Sequence, residues 1–101
     1  GHAVLEERLD GLFAQGHHLL VVDLGAVRYL SSTVLGVFLY YKKKLEERGG
    51  CLVLACCDES LLQAISATGL RDTLDIRPTR DEALSLAKEK VGSGKWDPIK
   101  A

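Results

Sequence analysis

Residues 19–36 read Leu19-Leu20-Val21-Val22-Asp23-Leu24-Gly25-Ala26-Val27-Arg28-Tyr29-Leu30-Ser31-Ser32-Thr33-Val34-Leu35-Gly36. The opening four residues are a short continuous apolar run ending at an aspartate, the pattern of a strand covered on both faces. A loop at Gly25 and Ala26 follows. From Val34 the apolar positions Val34, Leu35, Phe38, Tyr41 and Leu45 fall on one side of a helix. Ser31 and Ser32 are N-cap candidates for that helix, and Gly49-Gly50 stops it. A buried strand followed by an amphipathic helix is half of a βαβ unit, so the neighbouring segments decide the fold.

Those segments repeat the pattern. Upstream, Val4, Leu5, Leu9, Leu12 and Phe13 recur at helical spacing between Ala3 and Gln15, and Gly16 can close that helix. Downstream, Cys51 to Cys56 reads as a second buried strand, and Asp58 caps a helix carrying Leu61, Leu62 and Ile65 before Gly69. Leu74-Asp75-Ile76 is a weak short strand. Thr79-Arg80-Asp81-Glu82 is a capping box for a last helix through Ala83, Leu84, Ala87 and Val91. From Gly92 the periodicity ends, and residues 92–101 read as a flexible tail behind a domain spanning 1–91. The alternation predicts an α/β fold with a small, mainly parallel sheet and right-handed crossovers. Three strands make a narrow sheet with two unpaired edges. A missing strand, a partner chain or a swapped element is therefore expected, and the unpaired edges predict a homodimer or larger assembly.

Composition restricts the function classes. The 101 residues carry 13 basic and 14 acidic side chains, a formal charge of −1, which supplies no electrostatic drive towards nucleic acid. The lysine run Lys42-Lys43-Lys44 is answered by Glu46 and Glu47. No unbroken apolar run approaches the roughly 20 residues of a membrane span, so no membrane insertion is expected. Three cysteines, Cys51, Cys56 and Cys57, sit in or beside one apolar run, as expected of reduced, half-buried thiols in a cytoplasmic protein. The chain contains no methionine and opens at Gly1-His2 directly on a helical pattern, which reads as a trimmed or engineered piece of a longer protein.

The three consecutive hydroxyls, Ser31, Ser32 and Thr33, admit three readings. One caps the helix while the others satisfy loop backbone. Alternatively, the helix N-terminus holds an anion, although the Gly-rich nucleotide cradle is absent and no cofactor is expected. In the third, a hydroxyl is a kinase target whose phosphate the helix dipole would favour. Asp23 lies at a strand end near this loop, where it either caps the loop or faces a ligand. His17-His18 lacks further ligands at metal spacing and reads as a polar turn, so no metal is expected. Cys56-Cys57 are adjacent rather than in a CxxC arrangement, and Trp96 stands alone in the tail. No GxSxG elbow or triad spacing supports hydrolase chemistry, and the chain reads as a binding module, not an enzyme.

The order of these residues resembles the STAS family, the fold of bacterial anti-sigma factor antagonists. Val21-Val22-Asp23-Leu24 is similar to the family's "VLDLS", and Tyr29-Leu30-Ser31-Ser32-Thr33-Val34-Leu35-Gly36 to its "FIDSSGLG". Lys44-Leu45-Glu46-Glu47-Arg48-Gly49-Gly50-Cys51-Leu52-Val53-Leu54 is similar to "LKERGGRLVL". Thr68-Gly69-Leu70 and Asp81-Glu82-Ala83-Leu84 match the late "TGL" and "EEAL". The resemblance implies a sheet begun by two N-terminal strands that this chain lacks. It also implies partner switching: a serine is phosphorylated by an anti-sigma factor that is a serine kinase of the histidine-kinase-like ATPase type, and the unphosphorylated form binds that partner. By position the phosphoacceptor is Ser32. Ser31 replaces the motif aspartate and Val34 the motif glycine, leaving Ser31 and Thr33 as rival acceptors. The implied docking face comprises Tyr29, Leu30, Ser31, Ser32, Thr33, Val34 and Gly36, with Tyr29, Leu30 and Val34 exposed and Asp23 nearby. STAS domains that are subunits of lipid ABC transporters or tails of anion transporters offer another kind of partner, and a small nucleotide- or anion-binding domain is the remaining alternative.

Overall fold

The computed structural model describes residues 2–92 and 96–100, with side chains from Ala3 to Gly92 and for Ile99 and Lys100. Helix α1 (His2–Ala14) leads into β1 (Leu19–Asp23), α2 (Ser32–Glu47), β2 (Cys51–Ala55), α3 (Glu59–Ala67), a 3-10 turn at Arg71–Thr73, β3 (Asp75–Arg77), α4 (Arg80–Val91) and β4 (Trp96–Lys100). All strand pairs are parallel, in the order β3-β2-β1-β4.

Strand β4 corrects the reading of residues 92–101 as a flexible tail. Its five residues align with the five of β1, Leu19 opposite Trp96 and Asp23 opposite Lys100, and Ile99 is fully buried. The three-stranded sheet becomes four-stranded, and the outer side of β1 is occupied. Pro98 obscured the strand, because proline has no N–H for a ladder and argues against a central strand. At an edge that objection disappears, since only one side of the strand pairs. Residues 93–95 of the expected tail, and the side chain of Trp96, lie outside the described residues.

The two faces of the sheet differ because strand residues alternate. Leu20, Val22, Leu52, Leu54 and Ile99 pack with Leu9 of α1, Leu35, Phe38, Tyr41 and Leu45 of α2, and Leu61 and Ile65 of α3. On the other face Leu19, Val21, Cys51, Val53 and Ala55 pack with Ala83 and Ala87 of α4. Chain handedness explains the division. The crossovers β1-α2-β2 and β2-α3-β3 move one way along the sheet, while β3-α4-β4 moves back past both. A right-handed connection then requires α4 on the opposite face.

Local chemistry fixes where several elements begin and how they are tied together. Asp58 accepts from Leu61 N at 2.7 Å and Thr79 from Glu82 N at 3.1 Å, capping α3 and α4. Tyr41 donates to the Asp10 carboxylate, tying α2 to α1. The glycine pair after α2 has two separate duties. Gly49 takes φ +77° to turn the chain, and Gly50 passes so close to β1 that a Cβ there would lie 2.2 Å from the His18 carbonyl oxygen. The same carbonyl accepts from Cys51 N at 2.8 Å, which sets the β1–β2 register. His17, expected in a polar turn, is instead buried beside this close approach.

Candidate functional site

Parallel strands bring all their carboxyl ends to one side of the sheet, and the loop 24–31 emerges there. Leu24 N bonds to Ala55 O at 2.8 Å and Val27 N to Leu24 O at 3.0 Å, so the loop starts as an extension of β1 and then turns. Asp23 controls that turn. Its Oδ1 accepts from Gly25 N at 2.7 Å, and its Oδ2 accepts from Arg80 Nε at 2.7 Å. The Gly25 hydrogen bond, then the Arg80 guanidinium, hold the Asp23 carboxyl below the usual carboxylate range. Of the two readings of Asp23, the loop cap is the observed contact. A cleft of about 260 Å3 opens beside it, lined by Asp23, Gly25, Ala26 and Lys100.

The three hydroxyls are separated by helix geometry. Ser31 has extended backbone and its Oγ accepts from Val34 N at 3.1 Å, so Ser31 is the N-cap of α2. Ser32 is the first helical residue, and Ser32 and Thr33 are exposed. Tyr29 precedes them, 78% exposed. Gly36 is exposed one turn along. Leu30 and Val34, expected to be exposed beside Tyr29, are half-buried and pack against the core. Each follows the apolar pattern of the loop and helix inward, leaving Tyr29 as the outward aromatic.

Several contributors at this end were not anticipated. Arg80 reaches Asp23 from 57 positions later in the chain. Arg28 makes an exposed ion pair with Asp58, the cap of α3, at 3.5 Å and links the loop to the next element. Cys56 has φ +66°, and its N donates to Arg77 O at 3.2 Å. This left-handed residue resets the strand alternation: Cys56 packs on the α4 face and Cys57 on the α2 face. Burial, reinforced by the nearby Asp23 charge, pushes the Cys56 thiol up. Burial pushes Cys57 up to about 11. Both therefore remain thiols near neutral pH. Among the described residues, no group of three or more His, Cys, Asp or Glu side chains is arranged to hold a metal ion. No described helix is long and apolar enough to cross a membrane.

The sequence pattern of the STAS domain matches residues 3–83. The chain belongs to the STAS family. Among curated relatives of this STAS domain, the anti-sigma-B factor antagonist of Bacillus subtilis is 41% identical over 73 residues, covering 72% of this chain and 66% of the relative. The anti-sigma-B factor antagonist of Listeria monocytogenes is 38% identical over 64 residues, covering 63% of this chain and 56% of the relative. The STAS domain thus spans somewhat under two thirds of these relatives. Its fold matches the crystal structure of the Thermotoga maritima protein TM1081 with a TM-score of 0.76 at 23% identity, covering 85% of this chain and 74% of that one. The NMR structure of the same protein gives 0.75, with 85% and 70% covered.

Proposed function

We propose that this STAS domain is an anti-sigma factor antagonist that works by protein docking rather than catalysis, and that Ser32 phosphorylation switches the docking off. The observation that carries the proposal is the division of labour at the start of α2. Ser31 is occupied as the cap, whereas Ser32 is exposed on the first helical residue beside the exposed Tyr29. The names of the curated relatives supply the partner class, an anti-sigma factor. A cytoplasmic site of action accompanies it.

The physical consequences of phosphorylation fit a switch. A phosphate on Ser32 adds close to two negative charges at the α2 N-terminus, where the helix dipole and free N–H groups tolerate them. The domain keeps its fold while the docking surface changes its charge and hydration. A partner surface that is apolar or acidic opposite Ser32 then loses affinity. The docking face on this reading is Tyr29, Ser32, Thr33 and Gly36, with Leu30, Ser31 and Val34 beneath them as its support.

Phosphopeptide mass spectrometry on the protein from its native cells, with Ser32→Ala alongside, tests the proposal. Modification at Ser32 that disappears in the variant is the expected result. An unmodified peptide under both growth and stress would overturn the switch and leave a constitutive docking module.

A further inference from the structure

The carboxyl ends of β2 and β3 enclose a second cleft, away from the α2 N-terminus. It holds about 190 Å3 and is lined by Cys57, Leu62, Arg71, Ile76, Arg77 and Pro78. Ile76 and Cys57 form part of the packed core margin, so the cleft has an apolar side. Two guanidiniums supply the polar part. Arg77, the last residue of β3, is oriented by donation from its Nη1 to Ile76 O at 2.8 Å. Arg71 comes from the 3-10 turn.

This pair contrasts with the neighbouring arginines. Arg80 is matched to Asp23 and Arg28 to Asp58, but no ion pair reaches Arg71 or Arg77 among the described residues. None of the residues lining the cleft is acidic, and the Cys57 thiol adds no charge near neutral pH. Two exposed side chains of like charge border one small volume, and an oxyanion complements both. The planar guanidinium fork matches carboxylate and phosphate geometry. At about 190 Å3 the cleft has space for one anionic group and a short apolar body.

We propose that this cleft binds a small organic anion, a carboxylate or phosphate held between Arg71 and Arg77 with its apolar body against Leu62, Ile76 and Pro78. The anion is either a free metabolite or an acidic side chain of a bound protein. The proposal does not depend on the docking role of Ser32, because it concerns different strand ends and different residues.

The test is an NMR titration of the 15N-labelled full chain with sodium succinate and with sodium phosphate, each against sodium chloride at equal ionic strength. Expected are saturable shifts of the Cys57, Leu62, Arg71 and Arg77 amides that sodium chloride does not reproduce. In the double variant Arg71→Gln/Arg77→Gln the midpoint rises at least tenfold while the spectrum elsewhere is unchanged. Should that double variant unfold, Arg71→Gln alone, in the exposed turn, is expected to weaken binding several-fold. Shifts that follow ionic strength alone, or that survive loss of the guanidiniums, overturn the proposal. N-acetylglutamate N-methylamide then distinguishes the sources: binding as tight as succinate supports a protein side chain, and binding much weaker than succinate or phosphate supports a free metabolite. Ser32-dependent docking, measured in the same variants, fails or survives separately.

Discussion

The amino and carboxyl ends of the β1–β2 pair are built on different principles. At the amino end the backbones themselves touch: Gly50 lies against the His18 carbonyl, Cys51 N bonds to it, and no side chain larger than hydrogen fits at Gly50. At the carboxyl end side chains do the connecting, through Asp23 to Gly25 and Arg80, Arg28 to Asp58, and Ser31 to the start of α2. Backbone contact leaves no substitute, whereas each side-chain contact can be lost singly while the strands remain paired. The fold therefore tolerates change at the carboxyl end of this pair, the one carrying the exposed hydroxyls.

The strongest challenge to this contrast is Gly50→Ala. The added methyl must displace β1 or the α2–β2 turn, so a loss of about 3 kcal/mol is expected in denaturant unfolding, near the top of the range for overpacking. A loss under about 1 kcal/mol would show that the amino end is as adaptable as the other. Ser32→Asp probes the tolerant end. Negative charge suits the first turn of a helix, so the unfolding midpoint should hold or rise slightly while affinity for the proposed anti-sigma partner falls at least tenfold, about 1.4 kcal/mol. Calorimetry of binding and thermal unfolding on the same sample separate the two effects.

Ser31→Ala should remove the cap at a cost of about 1 kcal/mol of stability, measurable by urea unfolding. Equal losses from Ser31→Ala and Ser32→Ala would contradict the assignment of distinct duties. The smallest effect concerns pH. Asp23 has a lowered folded-state pKa, so its contribution is present above its unfolded value near 3.8 and disappears as pH falls through the folded value. Asp23→Asn should therefore flatten the acid limb of the stability profile below about pH 4. An unchanged acid limb would show that the Gly25 and Arg80 contacts are not maintained in solution.

Much of the fold was legible in the chain because the decisive signals are local. Leu19 to Val22 and Cys51 to Ala55 are uninterrupted apolar runs, and Asp58 and Thr79 announce helix starts within a few residues of the apolar stripes they precede. Strand β4 was not legible. It lacks alternation, contains Pro98, and owes its place to the free side of β1 rather than to its own pattern. The site was legible only in part. The hydroxyl triplet marks the start of α2, but only the cap geometry tells Ser31 from Ser32. The inward turn of Leu30 and Val34 depends on tertiary packing. No local rule pairs Asp23 with Arg80, and nothing in two adjacent cysteines foretells a left-handed residue that exchanges the faces of the sheet.

The position of β4 also constrains how the molecule assembles. β1, α2 and β2 are consecutive and can zip together from nearby contacts, but the outer partner of β1 comes from the far end of the sequence, Leu19 against Trp96. Closing so large a loop is entropically slow. Whenever β4 is detached, β1 has one paired side and one bare side. The bare side is then a template for any extended strand, and a crowded refolding mixture is where it meets one first.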